Sequence, residues 1–172
     1  MKIQPIDRER PRKSDAGSGV TVVLFDGVCN LCNGFVNWVI DRDPAARFRF
    51  ASLQSEAGRA VVSRAGLDPV GLSSLVVVRG GRVFTQSSGV LLIGGGLRTP
   101  MAPAARALRV IPRVIRDAGY RCVARLRYRV FGKSDACRVP TPELLAHFLD
   151  ERDPAGALRL AGFGAEPDRG GG

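Results

Sequence analysis

The chain has 172 residues, 45% apolar and 24% charged, enough to bury one sizeable core and too apolar for a disordered polymer. Four cysteines in that length are too few to build a disulfide scaffold. The net charge of +10 is concentrated, because Arg98 to Arg138 holds eleven Lys/Arg against two acids and the rest of the chain holds fifteen against fourteen.

Residues 1–18 are charged and proline-containing and read as a disordered tail without the apolar centre of a secretory signal. Val20 to Phe25 is an apolar run of strand length. Asp26-Gly27 makes a tight turn, and Cys29-Asn30-Leu31-Cys32 opens a helix with Cys32, Phe35, Val36, Val39 and Ile40 on one face. Asp41-Arg42-Asp43-Pro44 stops that helix, because proline restricts the residue before it. Arg47-Phe48-Arg49-Phe50-Ala51 alternates like a half-buried strand. Ser52 to Ala65 reads as a helix closed by Gly66, with Leu53, Ala57, Ala60 and Val61 inward. Leu75 to Val78 is a buried strand, Arg79-Gly80-Gly81-Arg82 a hairpin turn, and Val83-Phe84-Thr85 the return. Ser87 or Ser88 caps a short helix through Leu91 to Ile93, ended by the glycines at 94 to 96.

Strand, helix, strand, helix, strand, strand, helix is the order of a thioredoxin-like α/β domain, a central mixed sheet flanked by helices, here spanning residues 19–98. One departure is the loop before the third strand, where such domains carry a cis-proline and this chain has Ser73-Ser74. Residues 99–152 form a basic helical extension. Ala104, Leu108, Ile111 and Ile115 share one face and Arg106, Arg109, Arg113 and Arg116 another, with Pro112 kinking the helix or starting a new one. Cys122, Val123, Leu126 and Val130 continue the apolar face opposite Arg121, Arg125 and Arg129, which makes Cys122 a core residue. Thr141-Pro142-Glu143 starts a further helix with Leu144, Leu145, Phe148 and Leu149 inward and His147 on its solvated side. Residues 153–172 are rich in Gly, Ala and Pro and read as a disordered tail.

A strand that ends in a turn delivering two thiols to a helix N-terminus is a redox arrangement. Cys29, the first and expectedly more exposed thiol, is nearest the partial positive charge of the helix and is the candidate nucleophile. Cys32, one turn on, is the candidate resolving thiol. Asp26 has two readings: a general base for the Cys32 proton, or a turn residue that accepts hydrogen bonds from loop N–H groups. A CxxC is also half of a four-ligand zinc site, but Cys122 and Cys137 lack the matching close spacing, and His147 is the only histidine.

The stretch Leu24-Phe25-Asp26-Gly27-Val28-Cys29-Asn30-Leu31-Cys32-Asn33 resembles the signature of the DCC family of predicted thiol-disulfide oxidoreductases, named for its Asp-Cys-Cys motif. The likeness continues through Arg42-Asp43-Pro44, Phe48 to Ser55, Ile111-Pro112-Arg113, Arg127-Tyr128-Arg129, Phe131-Gly132-Lys133, Cys137 and Pro140 to Glu143. Leu126 and Val130 depart from it, where such sequences typically carry Asn and Trp. The resemblance implies dithiol chemistry at Cys29 and Cys32; Cys137, which matches a cysteine common in it, reads either as an ordinary small loop residue or as a residue packed near the pair, a possible third thiol.

The expectation is therefore a cytoplasmic thiol-disulfide oxidoreductase with no bound cofactor, acting on a disulfide or dithiol protein and recycled by an electron donor. The rival is a non-catalytic module that binds zinc or an anionic surface. The arginine stripe reads either as a solvated face or, through Arg106, Arg109, Arg113 and Arg116, as a peripheral contact with anionic membrane. Specific nucleic-acid binding is disfavoured by the scarcity of aromatics and the lack of a reader motif.

Overall fold

The computed structural model describes residues 19–68, 75–97, 99–133 and 147–164. Strand β1 (Thr21–Phe25) leads to helix α1 (Asn30–Ile40), then β2 (Phe48–Ser52), α2 (Glu56–Arg64), β3 (Val76–Arg79), β4 (Arg82–Thr85) and α3 (Gln86–Gly96). A short α4 (Ala102–Ala107) continues as a 3-10 turn to Val110, and α5 (Arg113–Phe131) and α6 (Pro154–Ala161) follow. The four strands form one mixed sheet in the order β2-β1-β3-β4. β1 pairs parallel with β2 and antiparallel with β3, and β3 pairs antiparallel with β4. Element order and sheet are those of a thioredoxin-like α/β fold.

β1 is apolar without alternation because both its faces are covered. Val22 and Leu24 point into a cluster with Ala57, Val61 and Val62 of α2 and with Ala157 and Ala161 of α6. Val23 and Phe25 point the other way, to Val36, Val39 and Ile40 of α1 and Ile93 of α3. The sheet thus holds two cores apart, and the carboxyl end of β1 emerges between them as the turn to α1.

The Arg79–Arg82 hairpin forms as expected, with positive φ at Gly80 (56°) and Gly81 (71°). Ser55 caps α2 by accepting from the Gly58 N–H, so that helix begins later than the sequence suggests, while Ser52 ends β2. The glycines at 94 to 96 do not end α3. They lie inside it because partners approach closely: a Cβ at Gly94 would meet Ala105 Cβ at 3.2 Å, and one at Gly96 would meet Phe48 at 3.2 Å.

Three expectations are corrected. The segment read as a disordered tail from residue 153 holds α6 over Pro154–Ala161, capped by Asp153, which accepts from the Gly156 N–H. Its Gly/Ala composition reflects close packing, since Ala157 and Ala161 are fully enclosed and the Gly81 N–H donates to the Ala161 carbonyl at 2.8 Å. Phe148 and Leu149 are not on the inner side of a helix: Phe148 bridges Phe50 in parallel, the Phe50 N–H donates to the His147 carbonyl and the Leu149 N–H to the Phe50 carbonyl, both at 2.8 Å. The helix expected from Thr141 lies outside the described residues, as do Ser73-Ser74 and Cys137.

The third correction concerns α5. Pro112 precedes a new helix, but the face carrying Cys122, Val123, Leu126 and Val130 points to solvent, and Cys122 is exposed. The inward face is polar. Asp117 accepts from Ser87 of α3, the Tyr120 hydroxyl accepts from the Leu75 N–H at 3.1 Å, and Arg127 is buried. Inward polar groups with partners cost little to bury, and here they are the groups that match the loops beneath.

Candidate active site

The loop from β1 to α1 is held from below by Asp26, which is 3% exposed. Four donors converge on its carboxylate: the Val28 N–H at 3.3 Å, Gln54 Nε2 at 3.1 Å, Arg127 Nη2 at 2.7 Å and the Tyr128 hydroxyl. Gln54 in turn accepts from the Gly27 N–H at 3.3 Å and from the Ser52 hydroxyl at 2.5 Å, so the end of β2 helps to shape the same turn. Asn33 reaches back from α1 to the Gly27 carbonyl at 3.0 Å. The Asp26–Arg127 pair joins residues about a hundred positions apart, both almost wholly out of water.

Cys29 is the residue before α1, in extended conformation, and its thiol makes no capping hydrogen bond. Its backbone forms an isolated antiparallel bridge with Lys133, and the Asn30 side chain donates to the Phe131 carbonyl at 2.9 Å. The end of α5 therefore lies across the start of α1. This overturns the expected order of exposure, since Cys29 is fully enclosed and Cys32 is the partly exposed thiol. The cover comes from a segment about a hundred residues away, which local spacing does not reveal.

Electrostatically the two thiols differ. The Cys32 thiol is pushed up, first by burial, then by its hydrogen bond to Cys29 and the charge there, with the Arg127 guanidinium pulling the other way. Arg127 Nη1 stands 3.8 Å from Cys32 Sγ. The proton is thus held on Cys32, beside a fixed cation. Burial, and then the hydrogen bond to Asp26, raise the Tyr128 phenol, which stays a proton donor. Lys133 Nζ and the Arg127 guanidinium both lie against the Tyr128 ring, at 4.7 and 4.6 Å from its centre.

Sequence reading put Cys29, Cys32 and Asp26 on one turn, and the structure does bring them together. It also adds Arg127, Tyr128, Gln54 and Lys133, to which no role was attached. Their signal was present in the Arg127-Tyr128-Arg129 stretch, but helical periodicity alone assigns an arginine to the solvent side. Arg106, Arg109, Arg113 and Arg116 bond to Gly95, Leu91, Asp117 and Ile111 respectively. Among the described residues no group of three or more His, Cys, Asp or Glu side chains is placed to hold a metal.

Comparison with known proteins gives a consistent result. The sequence model described as DCC1-like thiol-disulfide oxidoreductase matches residues 23–133, well over half of the chain. The chain is 40% identical over 128 residues to the uncharacterised protein YuxK of Bacillus subtilis, covering 74% of this chain and 93% of that one. It is 43% identical over 118 residues to a DCC family protein of Arabidopsis thaliana described as chloroplastic, covering 69% of each. No solved structure matches the chain significantly.

Proposed function

This chain belongs to the DCC1-like thiol-disulfide oxidoreductase family, and from that membership and the geometry of the thiol pair we propose that it exchanges disulfides with a protein substrate through Cys29 and Cys32. The observation that carries the reading is the placement of Cys29 just before α1 and of Cys32 one turn on, with Arg127 Nη1 3.8 Å from Cys32 Sγ.

The Cys29 thiolate attacks one sulfur of the substrate disulfide, forming a mixed disulfide and expelling the other sulfur as a thiolate that takes a proton from solvent. Cys32 then loses its proton, and its thiolate attacks Cys29 Sγ, releasing the second substrate thiol. The substrate gains two electrons and two protons, and the pair is left as a disulfide. A dithiol donor reverses that change, and the whole sequence runs backwards when the substrate is the dithiol. Arg127 stabilises the transient Cys32 thiolate. Asp26, with four donors on its carboxylate, anchors the loop and Arg127. The Phe131–Lys133 segment must shift for a substrate sulfur to reach Cys29. The setting in this reading is the cytoplasm, where a dithiol pool keeps the pair cycling.

The test is equilibration in dithiol buffers of defined potential, with each cysteine's state read by alkylation and mass spectrometry. A reversible two-electron transition confined to Cys29 and Cys32 is expected, together with a trapped mixed disulfide in Cys32→Ser and none in Cys29→Ser. Absence of that disulfide across the accessible range, or stoichiometric zinc lost on Cys29→Ser, overturns the reading in favour of a metal-binding module.

A further inference from the structure

Ten of the eleven large hydrophobic side chains that stand exposed among the described residues lie between Met101 and Phe131. Single exposed apolar residues are ordinary, but a contiguous set marks a surface with a partner. On α5 they form a stripe. Ile115 (62% exposed), Leu126 (45%) and Val130 (67%) recur at helical spacing with Cys122 between them and Val123 (53%) beside them. Arg121, Arg125 and Arg129, all exposed, run alongside on the same outer half of the helix. Val110, just before α5, and Val114, in its first turn, are 87% and 76% exposed. The helix is inside out for a globular protein, with its bonded polar groups inward and its aliphatic groups in water.

We propose that the outer face of α5 lies on an anionic lipid surface, an inference that stands independently of the redox reading. The choice of occupant follows from charge. A second copy of the chain would bring two sets of Arg121, Arg125 and Arg129 together, and like charges desolvated in an interface oppose association. The one acid between residues 99 and 133, Asp117, is turned inward to Ser87 and Arg113, so no acid of α5 itself offsets the arginines of this face. A lipid surface takes both features at once: aliphatic side chains enter the acyl boundary while guanidinium groups reach phosphate, along a helix about 28 Å long. No helix among the described residues is long and apolar enough to cross a membrane, so the contact is peripheral. The thiol pair then sits about one helix diameter, ~10 Å, from the lipid, because α5 separates them.

The experiment uses the full chain with vesicles of phosphatidylcholine alone or with a third phosphatidylglycerol, separated by sedimentation at low and high salt. Binding to the anionic vesicles at low salt is expected, falling at high salt and weak on neutral vesicles. Leu126→Glu/Val130→Glu and Arg121→Gln/Arg125→Gln/Arg129→Gln should each lose roughly tenfold or more in partitioning, with far-ultraviolet circular dichroism and disulfide exchange unchanged. A readout that needs no variant is the exposed Cys122: anionic vesicles should slow its reaction with a water-soluble maleimide several-fold, and neutral vesicles should not. No capture at low salt, or no protection of Cys122, overturns the proposal. So does light scattering that shows a dimer without lipid which Leu126→Glu/Val130→Glu converts to monomer.

Discussion

Replacing Arg127 by Met tests whether the Asp26–Arg127 pair is as dry as its 2.7 Å contact and 3–4% side-chain exposure indicate. Arg127→Met keeps most of the aliphatic volume and removes the cation, so the Asp26 carboxylate stays enclosed with its hydrogen bonds from Val28, Gln54 and Tyr128 but without a counter-charge. Breaking such a pair from one side costs about 3–5 kcal/mol, most of it the unpaired buried charge. A domain of this size loses roughly 2–4 °C per kcal/mol, so the melting temperature should fall by roughly 6–20 °C. The assay is urea unfolding of wild type, Arg127→Met, Asp26→Asn and the double variant, which forms a double-mutant cycle. Both single changes should be costly and the double variant less costly than their sum by about 2 kcal/mol or more. If Arg127→Met cost under about 1 kcal/mol, the pair would be solvated in solution, and the anchoring role given to it would be wrong.

The Cys32 thiol, pushed up to about 12 chiefly by burial and then by Cys29, should be only about one part in ten thousand thiolate at pH 8 and alkylate correspondingly slowly despite its partial exposure. Because its native pKa lies above the ordinary thiol value of 9.0, this group's contribution to stability is intact below about pH 9 and is lost as pH rises toward 12, which a pH series of urea midpoints would read. Gly132 holds φ 75° and ψ 177° where α5 ends, a conformation open essentially to glycine alone, so Gly132→Ala should cost about 1–3 kcal/mol. Since that turn positions the cover over Cys29, the same variant should speed Cys29 alkylation, and an unchanged rate would count against a cover. Phe50, fully buried between β1 and the Phe148 bridge, should cost about 3–5 kcal/mol when cut to Ala, measured by the same unfolding assay.

Local sequence determined much of this protein. The apolar run at Val20 to Phe25, the Cys29–Cys32 spacing, the Gly80-Gly81 turn and the 3.6-residue period after Cys32 each depend on neighbours within a few positions, and each reappears as β1, the redox turn, the β3–β4 hairpin and α1. Asp26 belongs with them, because its bond to Val28 is two residues long. What the tertiary structure alone decided are the contacts between distant segments. Periodicity says that α5 has two faces but not which one turns inward, and the inward face is the one whose Asp117, Tyr120 and Arg127 find donors and acceptors on α3, the start of β3 and the Asp26 loop. For the same reason Cys29, first in the pair and nearest the helix end, is the enclosed thiol, its backbone bridged by the distant Lys133. The small residues of α6 and of the glycine run in α3 looked like disorder and a helix stop, since composition cannot show that atoms of another element pack closely against them.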